Sequence, residues 1–324
     1  LAAEASRCPC FRLELGARVE GLLLEDGVVR GVEYRQGGEL RQLRATLTVG
    51  ADGRFSMTRK LSGLDGGAAG RRPAMDVIWV RLPFSAVTPP SGATFRLGRG
   101  GLLVLMRHLA GWQAGLVIAK GSFPQWREAG IERLRDALAG LAPELAGSAA
   151  SLHDWEQTSL LSVESSCLRR WHRPGLLLIG DAAHVVSPVG GVGINLAVQD
   201  ALAAGRRLAR PLLQGRVTSR DLAGVQRERV LPTRLVQACQ ALTERLVVRR
   251  AISPGASGRL PAWVRLLLRQ PAAQRLAGEL IAFAARPRRA RAGGRTRPLP
   301  QPAGCHGRTR SLEGPLPAAH DGLG

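Results

Sequence analysis

Lysine is almost absent from this chain: Lys60 and Lys120 are the only two, and the other 44 of its 46 basic residues are arginine. Aromatic residues are also few, at 4% with a single tyrosine. A net charge of +21 ordinarily points to nucleic acid or an anionic membrane, because clustered cations gain most by neutralising phosphate. Here the arginines are scattered among Ala, Gly and Leu, a pattern of coding bias, and no nucleic-acid partner is expected. Cys-x-x-Cys pairs are missing. The five cysteines (Cys8, Cys10, Cys167, Cys239, Cys305) are odd in number, and no histidine stands near them at metal-ligand spacing. Neither a disulfide framework nor a metal site is therefore expected, and a reduced, cytoplasmic setting fits. No apolar run approaches the length of a membrane span and no charged-then-apolar leader opens the chain, so the expectation is a soluble protein.

What is present is enough for two packed domains: 324 residues, 45% of them hydrophobic. Residues 11–49 alternate apolar and polar side chains with turn signals at Asp26-Gly27 and Gly37-Gly38, which predicts a three-stranded antiparallel meander. The run Ala45–Val49 is extended, stops at Gly50-Ala51-Asp52-Gly53, and is followed by a helix start at Ser56. Strand-like runs at 75–82, 101–106 and 112–119 predict a second, sheet-rich domain. Residues 124–145 read as helical, and 160–168 as an extended return. Leu176–Ile179 is short and wholly apolar, as a strand buried on both faces is. A long helix begins near Gly191, with Ile194, Val198, Ala201, Leu202 and Leu208 at helical spacing. Two further helical regions are predicted at 221–249 and 261–285, where Pro232 and Pro271 interrupt or begin helices. The last region is amphipathic and arginine-rich. It suits either peripheral contact with a membrane surface or packing on the rest of the protein, and packing is favoured. From Arg286 the composition turns to arginine, proline and glycine without apolar period, which predicts a disordered basic tail.

The densest signal is the segment Leu176 to Asn195. A buried strand delivers Asp181 to a crevice, where a carboxylate accepts hydrogen bonds from sugar-like hydroxyls better than a neutral side chain. Glycines at 190, 191 and 193 strip away side chains, so backbone N–H groups at a helix start can approach a planar or anionic ligand. Pro188 stiffens the entry turn. A helix start of this kind stabilises a ring that becomes anionic on reduction. Phosphate loops and simple close packing also use glycine-rich helix starts, but no Gly-Lys-Ser/Thr is present.

The string from Gly180-Asp181 through Pro188 and Gly190-Gly191-Val192-Gly193-Ile194-Asn195 resembles the second FAD fingerprint of the flavoprotein aromatic hydroxylases, the group typified by para-hydroxybenzoate hydroxylase. Gly50-Ala51-Asp52-Gly53 with Ser56 and Arg59 resembles the same group's Asp-Gly fingerprint. The resemblance implies an α/β fold: an incomplete, Rossmann-like FAD-binding domain with an inserted β-sheet substrate domain and carboxy-terminal helices. On this reading residues 1–70 and 169–286 form the FAD-binding part and its helices, 71–168 the substrate domain, and 287–324 the tail. It implies FAD as cofactor, NAD(P)H as co-substrate, dioxygen, and hydroxylation of a small aromatic or quinone-like substrate. Asp181 and Gly180 would hold the ribityl chain, Pro188 to Asn195 would border the isoalloxazine ring, and Asp52 and Gly53 would support the pyrophosphate region. Arg59 either holds Asp52 or a phosphate, or is an exposed helix cation. His184 is either an acid or base or, as favoured, a ring packed near the cofactor. Trp79, Arg81, Trp112 and Gln113 are candidate walls of the substrate pocket or structural strand residues. No catalytic residue is assigned.

The resemblance has one gap. The Gly-x-Gly-x-x-Gly strand-turn-helix that binds the ADP half of FAD in this group occurs nowhere here. The expectation is a chain lacking roughly the first hundred residues of a family member, with exposed sheet edges. Two other readings stay open: a reductase or halogenase on the same fold, and a truncated remnant that performs no catalysis.

Overall fold

The computed structural model describes residues 1–65, 68–71, 73–84, 93–98, 101–108, 111–248 and 270. The chain divides into two compact units, 1–16 with 289–324 and 17–288. The described part of the first holds one short helix, α1 (Ala2–Ala5). The expected amphipathic stretch 261–285, apart from Gln270, and the tail 287–324 lie outside the described residues.

The second unit opens with a meander of β1 (Arg18–Glu25), β2 (Val28–Gln36) and β3 (Glu39–Arg44). Asp26, Gly27, Gly37 and Gly38 all take positive φ, the geometry that lets a two-residue turn follow the twist of its strands. Both turns fall where the sequence predicts them. The first strand begins at Arg18 rather than Phe11, because Leu13 and Leu15 are exposed and have no buried face to alternate against.

Next come β4 (Thr48–Gly50), α2 (Met57–Leu61) and β5 (Ala68–Arg71). A five-stranded antiparallel sheet follows, built from β6 (Met75–Pro83), β7 (Ala93–Gly98), β8 (Gly101–His108), β9 (Gly111–Ala119) and β10 (Thr158–Ser162), in the order β10-β6-β9-β8-β7. Between β9 and β10 run α3 (Phe123–Glu128), α4 (Ile131–Leu141) and α5 (Ala146–Ala149). Period-two alternation puts Ile78, Val80 and Leu82 of β6 on one face, and Leu134 and Leu138 of α4 cover them. Each of these fully buried leucines contributes about 1.5–3 kcal/mol by leaving water.

The chain returns through β11 (Ser165–Leu168), β12 (His172–Arg173), β13 (Leu176–Leu178) and β14 (His184–Val185). β11 pairs with β5, so the outgoing and incoming strands of the inserted sheet lie side by side. β13 pairs in parallel with β4, residue Leu176 opposite Thr48, and β4 is the edge of this small sheet among the described residues. Two long helices follow, α6 (Gly193–Leu213) and α7 (Ser219–Thr243). Thr218 and Asp221 form a reciprocal capping box at the start of α7.

Two expectations need correction here. Pro232 lies inside α7 without interrupting it. The helix loses one N–H bond at that point, but its buried face continues unbroken through Arg229, Thr233, Val236 and Gln240, and the Thr233 hydroxyl donates to the Arg229 carbonyl at 2.9 Å. In α6 the apolar set Ile194, Val198 and Leu202 is exposed, and the buried face is Leu196, Asp200, Ala203, Ala204 and Leu208. Helical spacing was right, but a charged residue on the inner face hid which side faces in. No helix among the described residues is long and apolar enough to cross a membrane.

Candidate functional site

The parallel pairing of β4 with β13 brings the two glycine-marked loops to adjacent strand ends. Gly50-Ala51-Asp52-Gly53 leaves the carboxyl end of β4, Gly180-Asp181 leaves that of β13, and Ile179 N–H donates to the Gly50 carbonyl at 3.0 Å. Strand ends of this kind open a crevice for ligands in parallel sheets.

Asp52 caps its own helix. Its carboxylate accepts from the Ser56 hydroxyl at 2.5 Å, and from the Thr58 N–H and hydroxyl at 2.8 and 2.9 Å. Burial pushes the Asp52 carboxyl up, but those donors outweigh it and hold its pKa below the ordinary value. Gly53 takes φ +80°, and a Cβ there would meet nothing within 4 Å, so the loop presents bare backbone to open space.

Arg59 is neither an exposed helix cation nor a partner of Asp52. Its side chain is only 15% exposed, and it does not bond Asp52. Nη2 donates to the Arg54 carbonyl at 2.9 Å, Nη1 to the carbonyls of Asp181 and Ala182 at 3.4 and 3.2 Å, and Nε to Asp65 at 2.7 Å. One guanidinium thus ties the two loops together. Arg54 reaches the other way: it pairs with Glu164 at 3.2 Å and donates to the Ser162 carbonyl, anchoring the first loop to the return from the inserted sheet.

Gly180 has φ +59°, and an added Cβ would stand 3.0 Å from that of Ala197 on α6. Only glycine lets the turn run this close to the helix. Asp181 is half-buried; burial pushes its pKa up, opposed by His184 and Arg54. Pro188 begins a turn closed by Gly191 N–H to its carbonyl at 2.9 Å, and Gly190 and Gly191 both take positive φ. A Cβ on Gly191 would meet nothing within 4 Å. Gly193 starts α6, where Val192 provides no side-chain cap. Ile194 and Asn195 are exposed, whereas the Val192 side chain turns inward against Leu196 and Val236. His184 is a packed ring: it is 2% exposed, lies against Trp171 at 4.8 Å between centroids, and bonds Asp200.

Sequence reasoning missed the bracing behind this loop. Gln240 of α7 donates to the carbonyls of Ser187 and Val189 at 2.7 and 2.8 Å and accepts from Ser187 N–H at 3.2 Å. Gln237 donates to the carbonyls of Ser166 and Val185. Asp200 of α6, fully buried, accepts from Gly180 N–H, His184 and Arg229. The available signal was polar residues at helical spacing (229, 233, 237, 240), which an apolar-period search discards.

On the inserted sheet, cross-strand partners share a face. The face opposite α4 is laid out in cross-strand rows, of which three matter here. Val77, Val117, Leu102, Leu97 and Leu161 pack with Val189 of the second loop; Trp79 lies in the next row, and Arg81 and Gln113 face each other in the third. A Cβ on Gly115 would meet the Trp79 ring at 2.8 Å, so the indole lies flat where that strand has no side chain. Trp112 is placed elsewhere: it pairs with Leu82, points to the helix-covered face, and is 4% exposed in that core. The pocket-wall expectation therefore does not carry to Trp112.

Two buried carboxylates are expected to make the fold acid-sensitive. Burial raises Asp76 and Asp200, but Asp76 is outweighed by Gly121 N–H, Lys120 and Val163 N–H, and Asp200 by His184, Arg229 and Gly180 N–H, so both sit below the ordinary range. A lowered native pKa stabilises above the unfolded value, near 4, and that contribution disappears as pH falls through the native value. Melting temperature is expected to drop steeply below about pH 4, and Asp76→Asn to show a shallower acid limb. Parallel acid limbs for parent and variant would overturn the assignment.

Two glycine-marked loops at neighbouring ends of parallel strands, braced by a long helix and beside an antiparallel sheet, are the architecture of an FAD-binding protein. The match of residues 1–238 to the FAD binding domain family places the chain in that family, and it belongs there. It is similar to 6-methylpretetramide 4-monooxygenase of Streptomyces rimosus, 34% identical over 273 residues, covering 81% of this chain and 64% of that protein. A second relative, 12-dehydrotetracycline 5-monooxygenase/anhydrotetracycline 6-monooxygenase of Streptomyces rimosus subsp. rimosus, is 30% identical over 194 residues, 56% of this chain and 37% of its own length. The chain thus spans less than two thirds of these relatives. Among solved structures, the OxyS anhydrotetracycline hydroxylase from Streptomyces rimosus superposes with a TM-score of 0.61 at 24% identity, covering 83% of this chain and 52% of that one, a likeness of fold.

Proposed function

We propose that this chain forms the ribityl- and ring-binding part of an FAD-dependent monooxygenase that uses NAD(P)H and dioxygen to hydroxylate a planar, polycyclic aromatic substrate. The observation that carries the reading is the clamp of Arg59 across the two loops at the ends of β4 and β13. The residues fit the ring and ribityl end of the cofactor. Asp181 can accept from hydroxyls, Gly180 permits close passage, and the backbone at Gly53 and Gly191 is bare and open to an approaching ligand. Bound flavin supplies electron transfer from a nicotinamide and the activation of oxygen. The chain's own residues orient and shield. The start of α6 offers backbone dipoles to developing negative charge. The apolar row of Val77, Val117 and Leu102 against Val189 keeps water from the neighbouring loop. The Trp79 shelf suits a flat ring system, and Arg81 beside Gln113 suits its oxygenated edge. The names of the relatives, a 6-methylpretetramide 4-monooxygenase and a 12-dehydrotetracycline 5-monooxygenase/anhydrotetracycline 6-monooxygenase, support this class.

Titration with riboflavin and FAD, followed by flavin fluorescence, tests the cofactor reading; saturable binding of both is expected, and no binding of either removes it. For the substrate, alizarin serves as a flat three-ring probe. Trp79→Ala is expected to weaken its binding about fivefold to tenfold, the size of one lost aromatic contact and its area. Unchanged alizarin affinity would place the ring site elsewhere.

A further inference from the structure

Asp200 is fully buried at mid-helix in α6, yet its carboxylate is saturated from three separate elements. Oδ2 accepts from the Gly180 N–H at 3.0 Å and from His184 Nε2 at 2.6 Å, and Oδ1 accepts from Arg229 Nε of α7 at 2.8 Å. His184 follows Gly180 by one turn of chain, so both Oδ2 donors belong to the segment that presents Asp181. The Arg229 side chain is 8% exposed and gives the carboxylate its counter-charge. This turn is held from behind by a helix carboxylate.

We propose that Asp200 is a positioning residue for the cofactor-facing turn: it fixes the backbone of Gly180-Asp181 and the His184 ring before any ligand arrives, with Arg229 as the charge that lets it remain ionised in the core. The proposal rests on the flavin reading of that turn. It extends it to a residue that touches no ligand.

The chemistry of the carboxylate makes a sharp test. A carboxylate offers acceptors on both oxygens, whereas an amide offers one acceptor and one donor group. Asp200→Asn can keep its oxygen toward Gly180 and His184 only by turning its NH2 against the Arg229 guanidinium, which is then also a buried charge without a counter-ion. Removing that guanidinium as well, in Asp200→Asn/Arg229→Met, lets the amide oxygen return to the turn. Amide hydrogen exchange of a peptide covering 178–186 is expected to rise at least tenfold in Asp200→Asn, with riboflavin binding at least tenfold weaker. Both recover to within threefold of the parent in the double variant. A residue that merely stabilised the fold would give additive losses, the double variant worse than either single one.

The proposal is overturned if Asp200→Asn leaves exchange of the turn within twofold of the parent, or if the double variant is no better than Asp200→Asn. If Asp200→Asn fails to fold, the double variant is compared with the parent directly, and loose exchange at 178–186 overturns the idea. A parent chain that binds no riboflavin removes the flavin reading. The exchange contrast, measured without ligand, still decides what Asp200 does.

Discussion

Replacing Asp181 by alanine is expected to weaken riboflavin and FAD binding by about 100-fold, equivalent to ~2.7 kcal/mol. Hydrogen bonds to an ionised acceptor contribute about 1.5–3 kcal/mol each, and this is the carboxylate at the end of the buried β13 strand. Without a ligand that carboxylate is poorly placed: burial pushes its pKa above the ordinary value, so ionisation costs the native state stability as pH rises past the unfolded value. Asp181→Ala removes that cost. The variant is therefore expected to melt no lower than the parent near neutral pH while it loses ligand, a pairing that general damage to the fold does not produce. Fluorescence titration and thermal melting on the same preparations measure both. Affinity within threefold of the parent would mean that the cofactor is held from somewhere else.

Arg59→Met is expected to lower stability by about 3 kcal/mol and flavin affinity about tenfold. Its Asp65 partner is 53% exposed and contributes little. The weight falls on the carbonyls of Arg54, Asp181 and Ala182, which lose a shared charged donor at the junction of the two loops. Arg59→Lys is expected to resemble the methionine variant, because a single ammonium cannot bridge carbonyls on both loops as a planar guanidinium does. Urea unfolding reads the stability, and titration reads the affinity. A lysine variant indistinguishable from the parent would show that charge alone matters there.

Much of the scaffold was legible wherever a local rule determines local structure. Asp26-Gly27 and Gly37-Gly38 specify turns through the φ values they tolerate, and Leu176–Ile179 reads as a doubly buried strand because nothing polar interrupts it. The two loops were legible as motifs, whereas their adjacency comes from the parallel pairing of β4 with β13. What stayed hidden depends on facing. Trp112 and Gln113 are neighbours in sequence, and only the register of β6 against β9 shows that one joins the core and the other the open face. Arg59 does not bond Asp52, its candidate partner in sequence, and two of its three carbonyl acceptors come from residues more than a hundred positions away. Asp200 was invisible for a physical reason: a charge at a helical position is ordinarily solvated, and its three partners are brought together only by tertiary packing.

The side-by-side pairing of β5 with β11, and of β6 with β10, has a consequence for how the chain reaches this state. The β4–β13 pair must join segments far apart in sequence, an entropically expensive closure if attempted first. The inserted sheet is largely assembled from near neighbours: β7 with β8 and β8 with β9 are hairpins. Once β6 and β10 dock on that meander, its two ends emerge together and the remaining gap is short. Assembly of the antiparallel sheet first shortens the closure that brings β4 beside β13, so the two loops are expected to come into register only after that sheet has formed.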